Sequence, residues 1–361
     1  MPSHRTNFRI QSTGLLCLIV FGCETEEPKA EKTASQHDPN CALTVKGQGS
    51  DAKASAYYKA IGAPETLGDW RKKFCLSDPQ LSSALAMDYR NRSDLGLGRK
   101  MECVDCFGRI ACLVTNYADP DTPPDKQFSE LAHGKAGAAV AMTYEPSAKE
   151  RERTQFYVYG PDEQLATGLQ LDAEGVKYAP TVCHVCHGGR TNAKNGRTLD
   201  ANFTPFLLHT IEFDGPVPQE PLRKLNALVV KTNPTEFIKE LINTAYGNCG
   251  VDQLGCEYDD SRVPKAWDAD TPPPGWPSSR SSRGVWNDLT KNYCMGCHAS
   301  HPSYLFDDPK AFGFDFVKAA VCAETRRRMP QALVQRKQFQ ADKDVIGLVC
   351  QGIQPAVCTT N

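Results

Sequence analysis

The sequence predicts an α+β N-terminal region with a small antiparallel sheet, followed by a mainly α-helical region, the whole chain being disulfide-rich. Three observations predict it. Short β-branched and aromatic runs, broken by Pro, Gly and charged clusters, fill residues 109–171. Apolar residues recur at helical spacing before and after that stretch. Sixteen of the 361 residues are cysteine, a usage that points to an oxidising compartment, because cytosolic thiols are kept reduced.

In chain order, residues 1–22 read as a signal peptide. Arg5 and Arg9 supply its positive start, and residues 15–21 form an apolar run too short to span a bilayer. Val20-Phe21-Gly22-Cys23 resembles a bacterial lipobox, which implies that Cys23 becomes the lipidated N-terminus. Glu24 after that cysteine, by the same resemblance, implies an outer-membrane lipoprotein facing the periplasm. Residues 23–40 are charged and lack apolar periodicity, so they form a flexible tether.

Residues 41–182 form the expected α+β domain. Tyr57, Tyr58 and Ile61, then Leu67, Trp70 and Phe74, give residues 51–76 a helical pattern. Residues 110–117, 138–144, 155–159 and 164–171 are the expected strands, and Asp172-Ala173-Glu174-Gly175 is a turn. Residues 183–361 are mainly helical. One helix covers 221–231. A second starts with Asn233 as N-cap and Pro234 at the first position, buries Phe237, Ile238, Leu241 and Ile242, and ends at Gly247. Residues 263–282 are an extended loop, and a further helix over 282–293 places Val285, Leu289 and Tyr293 on one side.

Two motifs carry chemistry. Cys183-His184-Val185-Cys186-His187 and Cys294-Met295-Gly296-Cys297-His298 both read C-x-x-C-H. Two thiols one helical turn apart can add to the two vinyl groups of a haem, with the next His beneath the iron. Cys183, Cys186, Cys294 and Cys297 are therefore the expected covalent attachments of two haem c groups, with His187 and His298 as proximal ligands. A redox C-x-x-C or a zinc site would not require His directly after both pairs. Cys103-Val104-Asp105-Cys106-Phe107 lacks that His and is no third site.

For the second haem, Met329 in Arg328-Met329-Pro330 is the expected sixth ligand. Pro330 stops helix continuation after the helical stretch 312–325 and fixes the backbone beside the thioether. For the first haem, Met101 and His209 are the leading candidates, followed by Met142, His133 and His301. An open coordination face is the remaining alternative. His184 reads as exposed or packed on the haem edge.

Residues 94–101 (Asp-Leu-Gly-Leu-Gly-Arg-x-Met), 110–117 (Ile-Ala-Cys-Leu-Val-Thr-Asn-Tyr), Cys183-x-x-Cys186-His187-Gly188-Gly189, Phe203-Thr204-Pro205-Phe206 and Cys322…Met329-Pro330 resemble uncharacterised secreted bacterial di-haem c-type cytochromes. The resemblance spans most of residues 55–350. It implies a haem-binding region of cytochrome c type over 183–361, and it favours Met101 over His209.

Ten cysteines remain after Cys17, Cys23 and the haem cysteines. Expected pairs are Cys103 or Cys106 with Cys112, Cys249 with Cys256, Cys350 with Cys358, and Cys41 with Cys75. Cys322 lacks an obvious partner. A net charge of −2 gives no footprint for nucleic acid. The expected function is one-electron transfer between redox partner proteins in the periplasm or at a membrane surface, the membrane being reached through the lipid anchor. The alternatives are a peroxidase- or oxidase-like enzyme with an open first haem, and a redox-sensing binding protein.

Overall fold

A computed structural model describes residues 49–78, 85–91, 96–117, 122, 124–134, 136–170, 176–259, 262 and 285–301, all within one compact unit. The signal peptide and tether, Cys23, the turn at 172–175, the loop 263–282, the helix over 312–325 and Met329 lie outside the described residues, as do Cys41, Cys322, Cys350 and Cys358.

The helical pattern of 51–76 is two helices. α1 (Asp51–Ile61) starts where the Ser50 side chain accepts from the Lys53 N–H, and ends at Gly62 in the left-handed region, φ 60° and ψ 50°. α2 (Leu67–Lys73) starts from Thr66, whose hydroxyl oxygen accepts from the Asp69 N–H.

Five strands follow, the greater part of a six-stranded sheet larger than expected. They are β1 (Leu85–Asn91), β2 (Gly98–Cys106), β3 (Arg109–Tyr117), β4 (Ala136–Tyr144) and β5 (Thr154–Tyr159), with α3 (Pro124–His133) between β3 and β4. Two hairpins, β6 (Gly168–Gln170) with β7 (Val176–Tyr178) and β8 (Arg190–Thr191) with β9 (Thr198–Leu199), flank α4 (Cys183–His187). The short β10 (Ile211–Glu212) then completes the large sheet in the order β10-β1-β2-β3-β4-β5, every pair antiparallel. The charge-rich sequences of β1 and β2 gave no strand signal. Pairing of β1 with β2 and of β2 with β3, together with the burial of one face, holds them extended, which is how tertiary context overrides strand propensity.

Alternation gives the sheet two apolar faces. One carries Met87, Tyr89, Cys103, Met142 and Phe156 and packs on α5 (Gln219–Lys231) and α6 (Glu236–Tyr246) through Leu222, Leu225, Ile238 and Leu241. The other carries Ala111, Leu113, Ala141 and Tyr157 and packs on Trp70 and Phe74 of α2 and its exit. The first core extends past residue 183 to Tyr293 and Cys294, at the end of α7 (Val285–Cys294, with wide π-type turns), and to Met295 of α8 (Met295–His298). The sheet thus positions both motif-bearing segments.

The cap of α6 corrects the sequence expectation. Thr235, not Asn233, is the N-cap, its hydroxyl oxygen 3.3 Å from the Ile238 nitrogen. Asn233 sits at φ 52° and donates its N–H to Val230 O, so it belongs to the end of α5. Thr235→Ala is expected to lower stability by about 1 kcal/mol, read as a shift of the urea midpoint at unchanged slope.

Cys103 pairs with Cys112 and Cys249 with Cys256, as the spacing suggested. The first pair lies directly opposite in the β2–β3 register, with Cα atoms 4.1 Å apart. Cys75 corrects the reading: it bonds Cys106, not Cys41. Cys75 leaves α2 at φ 65°, on the sheet face that carries Cys106. Among the described residues no helix is long and apolar enough to cross a membrane.

Candidate haem-attachment site

α4 grows out of a turn in which Tyr178 O accepts from the Val182 N–H at 3.0 Å and Pro180 O from the His184 N–H at 3.1 Å. At its end, His187 Nδ1 lies 3.0 Å from the Asn202 carbonyl oxygen. A carbonyl only accepts, so Nδ1 carries a proton, and in the neutral ring Nε2 keeps the lone pair. That is the tautomer of a metal-binding imidazole oriented by a backbone carbonyl. The Phe156 ring, from β5, stands 5.3 Å from the His187 ring, centroid to centroid.

The extra histidine of this motif is not exposed. His184 is buried, its Nε2 3.2 Å from Thr198 Oγ1 and its ring edge-on to Phe156 at 5.9 Å. Burial first, then the neighbouring His187, push its pKa down to about 4. It is a neutral core residue that ties α4 to β9.

Two glycines after His187 allow close approach of other backbone. Gly188 sits at φ 69° and ψ −170°, and a Cβ there would meet Ser300 O at 2.4 Å. At Gly189, φ 83°, a Cβ would meet Leu199 O at 2.4 Å. Ser300 lies just past the second motif. There Cys294 is the N-cap of α8, and the N–H groups of Ala299, Ser300 and His301 return to the carbonyls of Met295, Cys297 and His298. His301 Nε2 lies 2.6 Å from Val185 O, inside the first motif. Cys297 Sγ lies 3.2 Å from Cys186 Sγ. The two motifs, 111 residues apart in sequence at that thiol pair, are neighbours in space.

All four motif cysteines stay outside the disulfides, whereas the six other described cysteines from Cys75 to Cys256 are bonded in pairs. Burial pushes the Cys183 and Cys294 thiols up to about 12, which keeps them protonated. Two helical thiol pairs, each followed by a histidine, with one histidine tautomer fixed by a carbonyl, are a donor set that fits haem c. Among the described residues no three His, Cys, Asp or Glu side chains gather as a site for a bare metal ion.

The candidate sixth ligands are dispersed. Met101 lies on β2, opposite Met87 of β1 and Val114 of β3. Met142 lies on β4 opposite Cys112 and Phe156. Met142 belongs to the core against which Met101, Cys183 and Cys294 pack. His209, in the 3-10 turn Leu208–Thr210, is seated with that turn against α7, the segment leading into the second motif. His133 ends α3, and His301 is engaged with Val185. Asn202, Thr198 and Phe156 are the contributors that motif reading missed. They reach the motif through β5 and the β8–β9 hairpin, and no spacing rule marks them.

Paired carboxylates hold that hairpin. Asp200 accepts from Arg151 and, at 3.1 Å, from Arg190. Glu152 accepts from Asn195 at 2.9 Å and Asn192 at 3.0 Å, with Arg197 3.4 Å away. The Arg151 hydrogen bond is the main cause that holds the Asp200 carboxyl below its ordinary range, and the Asn195 hydrogen bond does so for Glu152. A depressed folded-state pKa stabilises above the unfolded value and is lost as pH falls through the folded one. Thermal scans from neutral pH into the acid range should therefore show stability falling below the ordinary carboxylate pKa, and Glu152→Gln should flatten that fall.

Comparison with known proteins finds no matching family model, no matching curated protein and no matching solved structure.

Proposed function

We propose that this chain is a di-haem c-type cytochrome that passes single electrons outside the cytoplasm. The observation that carries this reading is the pair of C-x-x-C-H segments whose cysteines stay out of disulfides in a chain otherwise rich in them. The His187–Asn202 contact supports it by orienting the ring and selecting, in the neutral imidazole, the tautomer whose Nε2 can ligate. Cys183, Cys186 and His187 would hold one haem, and Cys294, Cys297, His298 and Met329 the other. Haem supplies the one-electron couple. The chain's own part is to fix the ring of His187 through Asn202, to pack Phe156 beside it, and to shield the Cys183 and Cys294 thiols against an apolar core.

The finer readings follow from this one. Residues 183–361 form a haem-binding region of cytochrome c type. The three disulfides among the described residues support export, and Cys23 is the lipid-bearing residue that tethers the body to a membrane surface near its redox partner proteins. The sixth ligand of the first haem comes from Met101 or His209, and that of the second from Met329.

The test is haem stoichiometry and spectra of the exported full chain. Two covalent haems are expected by pyridine haemochrome assay after acid-acetone extraction, and one in Cys294→Ala/Cys297→Ala. Carbon monoxide should leave both haems of the unmodified ferrous protein unchanged and should bind one haem in Met329→Ala, with a lower potential at that haem. Loss of all haem into the organic phase would reject the reading. Carbon monoxide binding to the unmodified protein would reject the pure carrier and favour an enzyme.

A further inference from the structure

We propose that, before haem is attached, Cys186 and Cys297 form a cross-motif disulfide that closes both attachment sites at once and that a dithiol reductant reopens. The inference deepens the cytochrome reading in its consequence for haem loading, but the cross-link itself rests only on the placement of the two thiols.

Their sulfurs are 3.2 Å apart. That approach is built by more than the two side chains. The backbone of Gly188 lies against Ser300 O, where no Cβ would fit, and His301 Nε2 reaches Val185 O at 2.6 Å. These contacts bracket the thiol pair on both sides, one residue before Cys186 and two after it, and three and four residues after Cys297. Closing the bond therefore asks for a small side-chain rotation.

The competing bonds, Cys183 with Cys186 and Cys294 with Cys297, are disfavoured by helix geometry. Helical residues three apart have Cβ atoms about 5–6 Å apart, whereas a disulfide needs about 3.5–4.5 Å. Each within-motif bond would distort α4 or the first turn of α8. In an oxidising compartment the reaction is thiol–disulfide exchange with a disulfide-bearing oxidoreductase or oxidised glutathione. A thiolate attacks the oxidant's disulfide, the resulting mixed disulfide is attacked by the second cysteine, and two reduced thiols leave as the Cys186–Cys297 bond forms. The bond withdraws one cysteine from each motif, so neither motif keeps the two thiols that a haem requires.

The full chain, produced without haem attachment and treated with oxidised glutathione, would be digested without reduction and mapped by mass spectrometry. The expected product joins the Cys186 peptide to the Cys297 peptide. Cys183→Ser should keep it and Cys186→Ser should abolish it, leaving Cys297 open to alkylation. Within-motif bonds, or full alkylation of both cysteines after oxidation, would overturn the proposal. The cross-linked chain, supplied with haem and attachment machinery, should incorporate none until dithiothreitol is added and two afterwards; one haem per cross-linked chain would overturn the gating. A reduced chain that takes up no haem at all would instead reject the cytochrome reading, with the cross-link still standing.

Discussion

Gly188→Ala is expected to destabilise the fold by about 1–3 kcal/mol from backbone strain alone, and by more once the steric contact is included. Gly188 occupies a positive-φ, extended-ψ region that essentially only glycine adopts. The added methyl would also meet the Ser300 carbonyl oxygen at 2.4 Å, so the segment after the second motif must move. Gly62→Ala is the control: Gly62 has a positive φ as well, but a Cβ there meets nothing within 4 Å. Urea denaturation of the two variants should show Gly188→Ala the more destabilised, through its costlier backbone region and its contact together. Equal losses would mean that the motifs do not press together at Gly188. Because the same contact frames Cys186 and Cys297, the variant should also lower the yield of the cross-motif disulfide.

Trp70→Ala should cost about 3–5 kcal/mol, the range for deleting a large aromatic from a core. Trp70 is fully buried between α2 and the sheet, its ring centroid 5.1 Å from Phe74 and 6.0 Å from Tyr157. Phe74 in turn lies 5.9 Å from Tyr157, so the three rings pack as one group. The indole Nε1 has no hydrogen-bond acceptor among the described residues, so the side chain stabilises by packing alone. Trp70→Phe should accordingly lose much less than Trp70→Ala. A loss as large in the phenylalanine variant would mean that the indole N–H is satisfied after all. Guanidinium denaturation followed by far-ultraviolet circular dichroism measures both.

Much of the architecture was legible because local rules agree with the tertiary outcome. α5 carries Leu222, Leu225, Leu228 and Val229 on one face, and that face is buried. The strands around Val114, Val140 and Val158 are β-branched or aromatic and lie where their composition put them. β1 and β2 escaped because Asp88, Arg90, Lys100 and Glu102 dilute their apolar alternation, and only pairing, of β1 with β2 and of β2 with β3, makes them strands. The α6 cap was misplaced by two residues because Asn233-Pro234 and Thr235 both satisfy capping preferences. The left-handed exit of α5 at Asn233 decided between them.

By itself the sequence determined the two C-x-x-C-H segments, since thiols one turn apart with a following histidine are a local constellation that requires no fold to be recognised. It also suggested two of the three disulfides among the described residues, Cys249 with Cys256 outright and Cys112 with either Cys103 or Cys106, their partners being only 7 and 9 residues apart. Only the tertiary structure decided that Asn202 orients His187, that Thr198 holds His184, that Cys75 bonds Cys106, and that the two motifs touch through Cys186 and Cys297. The physical reason is common to all four. Each contact joins segments whose separation is set by which sheet face an element packs on, and packing is a property of the assembled core that residue spacing does not encode.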